Sequence, residues 1–389
     1  WEWDGERMQY YLHNFLAAQP DLNFHNPEVQ DELLDIARFW LDRGVDGFRL
    51  DTVNFYFHDR ELRDNPPLPP EERNDNTAPS VNPYNFQDHL HDKTRPENID
   101  FLRRLRAVLD EYPAATSVGE VGESQRGTEV QAAYTAGGDL LHMCYDFDFL
   151  SNTFPTGTQI ARVLARYQRI VTEGWACWAY SNHDVVRHPT RWNLGEEARR
   201  AYAALLMSIQ GSVSLYQGEE LGLTEAYVPF EDLQDPYGKR FWPKFKGRDG
   251  ARTPMPWVAD AHCGGFTDGR PWLPVAMEHL ERAVSVQDRA ADSTLAFYRA
   301  MLAFRAAHPA LVKGDMEIVE ADDAYLALIR AHRGTRLFCA FNLSTGPRPV
   351  DFPEGGWRLD RGAPFKSKTD ERGTVLPPWQ ACFAVAETG

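Results

Sequence analysis

No stretch of this sequence approaches the roughly 18 consecutive apolar residues that a membrane-spanning helix needs, so membrane insertion by a helix is not expected. Positive charge is scarce: 41 Lys and Arg stand against 57 Asp and Glu, a net charge of −16. An acidic chain gains nothing by displacing counterions from phosphates, which argues against a nucleic-acid partner. Cysteine is sparse and odd in number: Cys144, Cys177, Cys263, Cys339 and Cys382. None lie in C-x-x-C spacing, and two fall in apolar runs that read as strands. They read as buried free thiols in a reducing, cytoplasmic setting, and no metal site is expected. No glycine-rich phosphate loop follows any strand, so a nucleotide-binding sheet has no support. Nor does a methionine open the chain. Trp1 begins neither a signal peptide nor a recognisable domain, and the expectation is an internal fragment.

What is present is enough for a full core. With 389 residues, 43% of them hydrophobic, there is room for one large domain and a small one. "NPEVQDELLDIARFWLDRG" reads as a helix capped by Asn26, with Pro27 in its first turn and Gly44 as its stop. Its apolar face is expected to hold Val29, Leu33, Ile36, Ala37 and Trp40. "VDGFRL" follows as a strand, then a long polar loop over 55–95. The alternation then repeats: helix 96–112, strand "AATSVGEV", helix 126–136, strand "DLLHMCYDF", a helix through Ile160 and Leu164, strand "WACWAYSNHD", helix 196–210, strand "SVSLYQGEE". After an insertion, helix 293–307 is expected to bury Leu295, Tyr298, Met301, Leu302 and Phe304. Five strands alternating with helices argue a parallel sheet with right-handed crossovers. Five cannot close an eight-stranded (β/α)8 TIM barrel, so the other three strands are expected upstream of Trp1. From about residue 312, "MEIVEADDAYLALIRAHRGTRLFCAFNLS" alternates with period two and turns at "HRGT", a separate antiparallel β domain.

The chemistry-bearing residues gather where strands end, which is where a β/α barrel places its active site. Arg49 and Asp51 lie two apart on a strand and so share a face. A guanidinium beside a carboxylate favours the ionised form, and a fixed, dry, ionised carboxylate is what a nucleophile needs. A buried ion pair that merely locks the strand is the plainer alternative. Glu120 ends the next strand. An apolar surrounding and a like charge would both keep its proton available for a leaving oxygen. A carboxyl pair of this kind is the machinery of glycosidases. His183 and Asp184, in "SNHD", add a third acid on a later strand, or a polar helix start.

These segments carry a resemblance. "GFRLDTV", "VGEV" and "SNHD" resemble signature regions of the α-amylase family, glycoside hydrolase family thirteen. "QPDLNF", "YQGEELGL" and "RDGARTPMPW" resemble stretches of its α-glucosidase and oligo-1,6-glucosidase branch. The resemblance implies Asp51 as nucleophile, Glu120 as general acid/base and Asp184 as the third acid that grips sugar hydroxyls. It implies Arg49 as the arginine holding the nucleophile and His183 as a donor to the bound sugar. Arg252 matches an arginine of the glucose pocket, with Arg248 the lesser candidate, and Phe147 is placed on the pocket wall. Thr52, after the nucleophile, resembles the residue of enzymes that cleave α-1,4 bonds.

The resemblance also implies an organisation. Residues 1–25 match the tail of an inserted domain, 26–311 barrel strands four to eight, and 312–389 a C-terminal β-sandwich. The family's first signature region is absent, as is the early loop that holds a structural calcium or magnesium ion. A companion amino-terminal fragment is therefore expected to complete the barrel. No catalytic cofactor is implied. The implied substrate is a small oligosaccharide or aryl α-glucoside, and the implied reaction is retaining exo-hydrolysis with transglucosylation. A dedicated glucosyltransferase or sucrose isomerase shares the same intermediate. A non-catalytic, transporter-associated relative is opposed by the three acids.

Overall fold

The computed structural model describes residues 1–73, 78–123, 126–365, 368–370 and 373–387. Residues 74–77 of the long polar loop lie outside this set. The described residues fall into two compact units, 1–146 with 168–177, and 147–167 with 178–389.

The first unit opens with a hairpin, β1 (Glu2–Asp4) paired antiparallel with β2 (Gln9–Tyr11). Helix α1 (Pro27–Leu41) then starts where the sequence signals it: Asn26 Oδ1 accepts the Glu28 N–H at 3.0 Å. Gly44 ends it with φ 88°, a left-handed conformation that glycine adopts without a Cβ penalty. The parallel strands follow as β3 (Gly47–Leu50), β4 (Thr116–Glu120), β5 (Met143–Tyr145) and β6 (Ala176–Trp178), each paired to the next. Between them, α2 (Asn98–Asp110) buries Phe101, Leu102, Leu105, Val108 and Leu109, and α3 (Gly127–Thr135) buries Val130. Full burial of each such side chain contributes on the order of 2 kcal/mol.

Helix α1 corrects one expectation. Its buried stripe is Leu34, Ala37 and Leu41, one residue over from 33–36–40, and Ile36 and Trp40 are exposed. The reason is where its neighbour lies. α1 faces α2, joined at the edges by Arg38–Glu111 (2.8 Å) and Arg104–Gln30 (2.7 Å). The opposite face carries Ile36, Phe39 and Trp40.

In the second unit, α4 (Gly157–Ile170) buries Ile160 and Leu164, and α5 (Glu196–Leu206) buries Ala198 and every residue from Ala201 to Leu206. Strand β7 is only Ser212–Val213. Helix α6 (Thr294–Ala307) buries Leu295, Tyr298, Met301 and Phe304, but Leu302 is exposed because it faces away from that stripe. From Asp315 the chain is antiparallel: β8 (Asp315–Asp322), β9 (Tyr325–His332) and β10 (Thr335–Asn342) form a meander. The β9–β10 turn has φ 48° at Arg333 and 85° at Gly334, the left-handed pair that matches strand twist in two-residue hairpins. β15 (Ala381–Ala386) and β12 (Trp357–Leu359) complete this sheet. A second sheet joins β11 (Arg348–Val350), β14 (Gly373–Leu376) and β13 (Lys368–Asp370). Val350 and Leu376 meet Phe338 and Ala340 in one core. The architecture is that of a (β/α)8-barrel protein whose parallel part is followed by an antiparallel β-sandwich.

Candidate active site

Two clusters contain the sequence-selected residues, one in each unit.

In the first, one guanidinium serves two carboxyl groups. Arg49 Nη1 pairs with Asp51, and Arg49 Nη2 lies 2.9 Å from Glu120 Oε1. Glu120 Oε2 accepts the backbone N–H of Thr52 at 3.0 Å. Thr52 itself is left-handed, φ 41° and ψ 48°. For a β-branched residue this conformation costs of order 1–3 kcal/mol. The next turn is tied to the strand end as well. Asn54 Oδ1 accepts the Gly122 N–H at 3.0 Å, and buried Lys93 donates to Gly122 O at 2.9 Å. The peptide two residues beyond Glu120 is therefore held by the loop that follows Asp51.

The two acids differ in surroundings. The Glu120 side chain is 6% exposed, that of Asp51 72%. Burial pushes Glu120 up to about 7. The Thr52 N–H and Arg49 pull the other way, while the charge of Asp51 and a hydrogen bond between the two carboxyl groups push it further up. One guanidinium holding both carboxyl groups keeps the pair close, as a retaining glycosidase requires. The expectation of a dry Asp51 is corrected: in this chain the carboxylate is open to solvent. Tyr56, which sequence reasoning passed over, stands beside the pair. Burial of its hydroxyl and the Asp51 charge push it up, so it stays protonated.

The second cluster centres on Asp184. Buried Asn182 accepts the Asp184 and Val185 N–H groups at 2.8 and 3.1 Å, forming a capped turn rather than a helix start. Arg248 Nη1 and Arg252 Nη2 both donate to Asp184 Oδ1, at 2.8 and 3.0 Å, and His183 Nε2 lies 3.3 Å from Oδ2. Arg252 Nε also donates to His183 O at 2.7 Å. The two arginines flank the single turn Asp249–Ala251, and their four-residue spacing lets both reach one carboxylate. Sequence reasoning ranked Arg248 below Arg252; the structure places both on Asp184. Phe147 is half-buried and opens the turn Asp148–Leu150, its carbonyl accepting from Leu150 N at 2.9 Å.

Among the described residues, no group of three or more His, Cys, Asp or Glu side chains is placed to hold a metal ion.

Two carboxyl groups of unequal burial, bridged by one arginine at adjacent strand ends of a β/α sheet, define a site of the retaining glycoside hydrolase class. The model of the α-amylase catalytic domain matches residues 1–314. The "Probable alpha-glucosidase" of Rhizobium meliloti (strain 1021) is 55% identical over 99% of this chain and 70% of its own length. Maltase A1 of Drosophila melanogaster is 30% identical over 90% of this chain and 63% of its own length. The crystal structure of an alpha-glucosyl transfer enzyme, XgtA, superposes with a TM-score of 0.94 at 49% identity, covering all of this chain and 72% of that one. The chain belongs to the α-amylase family of glycoside hydrolases.

Proposed function

We propose that the chain is the catalytic part of a retaining, exo-acting α-glucosidase. It would release terminal α-1,4-linked glucose from short α-glucosides such as maltose, with transglucosylation as a side reaction. The observation that carries this reading is the unequal carboxyl pair, Glu120 buried and pushed up to about 7, Asp51 exposed and paired with Arg49. Asp51 attacks the anomeric carbon while Glu120 delivers its proton to the leaving oxygen. Glu120, now ionised, takes a proton from water, and the hydroxide displaces Asp51 with a second inversion. A sugar or phenol hydroxyl in place of water gives transfer. The names of the relatives, an α-glucosidase, a maltase and a glucosyl transfer enzyme, support both outcomes.

Asp184, with Arg252 and His183, is assigned to grip the sugar hydroxyls; Phe147 is assigned to the pocket wall. Thr52 is assigned to the α-1,4 preference. Residues 1–25, 26–311 and 312–389 are assigned to an inserted-domain tail, the barrel and the β-sandwich. Products from maltose, isomaltose and sucrose, resolved by chromatography with the intact protein, test the reading. Glucose released faster from maltose than from isomaltose supports it. Faster use of isomaltose removes the role given to Thr52, and isomerised sucrose favours the isomerase reading.

A further inference from the structure

Asp235 is fully buried, yet it faces the cation that holds Asp184. Its carboxylate takes Arg248 as a fork: Oδ2 accepts from Nε and Oδ1 from Nη2, both at 3.0 Å. Oδ2 also accepts the Arg248 backbone N–H at 2.9 Å. Paired donation of this kind fixes the plane of a guanidinium, which a lysine could not reproduce. The remaining nitrogen, Nη1, is thereby aimed at Asp184 Oδ1, 2.8 Å away.

A plainer role for Asp235 exists. It caps the short helix Pro236–Phe241, with Oδ1 accepting the Tyr237 N–H at 3.1 Å. A cap needs one oxygen and no arginine. Here both oxygens are committed to Arg248, and the surroundings are built to keep them there. Buried Asp249 Oδ2 accepts the Asp235 N–H at 2.8 Å and the Gln234 N–H at 2.6 Å, anchoring the turn from behind. Gly247, at φ 87°, lies backbone against backbone on Gly238; a Cβ there would stand 3.0 Å from Gly238 Cα and 3.3 Å from Asp235 Oδ2. That close approach brings the start of the helix against the residue before Arg248. Burial alone would raise the Asp235 carboxyl, but its bonds to Arg248 outweigh burial and hold it below its ordinary range, so it stays an anion.

We propose that Asp235 is a positioning residue for Asp184, acting through Arg248. With Oδ1 of Asp184 held by two guanidinium groups, Oδ2, facing His183, is the oxygen presented to the sugar. A hold that tightens as the ring distorts contributes to the transition state more than to the ground state. The inference rests on the reading of Asp184 as the third acid.

The test is kinetic. Asp235→Asn, Arg248→Lys, the double variant and Asp184→Asn are assayed on an aryl α-glucoside in the intact protein. Binding of glucose and of a glucose-configured iminosugar cation is measured alongside. For Asp235→Asn a fall in kcat of about 10²-fold is expected, the cost of a misplaced group. KM and glucose affinity should change less than about threefold, and the iminosugar should weaken in step with kcat. Arg248→Lys should reproduce the loss, and the double variant should add little to either. A structural cap would instead lower thermal stability and leave kcat and the iminosugar-to-glucose ratio unchanged; that result overturns the proposal, as do additive losses. If Asp235→Asn does not fold, Asp235→Glu, which keeps the charge but displaces the fork on Arg248, decides on the same ratio. Turnover retained by Asp184→Asn would reject the reading of Asp184 itself. An inactive Asp184→Asn beside a fully active Asp235→Asn would reject only the positioning role.

Discussion

Arg49 Nη2 lies 2.9 Å from Glu120 Oε1, while Nη1 of the same guanidinium is paired with Asp51. The arginine that sequence reasoning gave to the nucleophile alone therefore serves both acids. It sets their spacing and limits how far burial can raise Glu120.

Acid catalysis should follow the protonation of Glu120. Burial places the group at about 7, so the protonated fraction falls as pH rises through that value. The expected profile of kcat/KM on an aryl α-glucoside has its basic limb near pH 7. Glu120→Gln should lose activity and also lose that limb. A limb that persists in the variant would assign it to another group.

Strand β3 depends on a residue without a side chain. Gly47 has φ 151°, and a Cβ built on it would run into Thr116 O on the paired strand β4. Gly47→Ala should cost roughly 2–4 kcal/mol, the sum of backbone strain and a displaced strand. Since β3 leads to Asp51 and β4 ends at Glu120, activity should fall with it. Denaturant melting compared with the parent protein checks the magnitude, and an unchanged midpoint would contradict it.

Much of this was legible because the signals are local. Asn26, Pro27 and Gly44 bracket α1 through bonds within a few residues, and "RLD" forces Arg49 and Asp51 onto one face by the period of a strand. The offset stripe of α1 was not legible. Ile36 and Trp40 satisfy helical spacing as well as Leu34 and Leu41 do, and only the position of α2 decides between them. What sets Arg248 apart from Arg252 was not legible for a related reason: the two flank one turn, four residues apart, both reach Asp184, and the further partner of Arg248, Asp235, lies 13 residues back. Sequence reasoning did not single out Asp235, whose cap of the helix at Pro236 and fork on Arg248 appear only in the structure.

Glu219 makes stability depend on pH. It is buried with its Oε1 3.7 Å from His188 Nδ1, and burial pushes it up to about 8. His188 is itself buried and held well below its ordinary range, so it brings no compensating charge. The unfolded chain releases this proton near the usual glutamate value of about 4.3. Between that value and about 8 the folded chain binds the extra proton, and stability falls as pH rises. Glu219→Gln removes the term. Melting temperatures of the two proteins, followed from about pH 5 to about pH 8, should shift in favour of the variant as pH rises. Parallel curves would show that Glu219 carries no such burden.

The most direct test of the carboxyl pair is to stop the reaction halfway. A fluorinated α-glucosyl fluoride, which reacts with the nucleophile faster than the product ester hydrolyses, should label the intact protein once. Peptide mass spectrometry should then place one fluorohexosyl group on Asp51, with no labelling of Asp51→Asn. A label on any other residue, or turnover with inverted product and no adduct, would contradict the account.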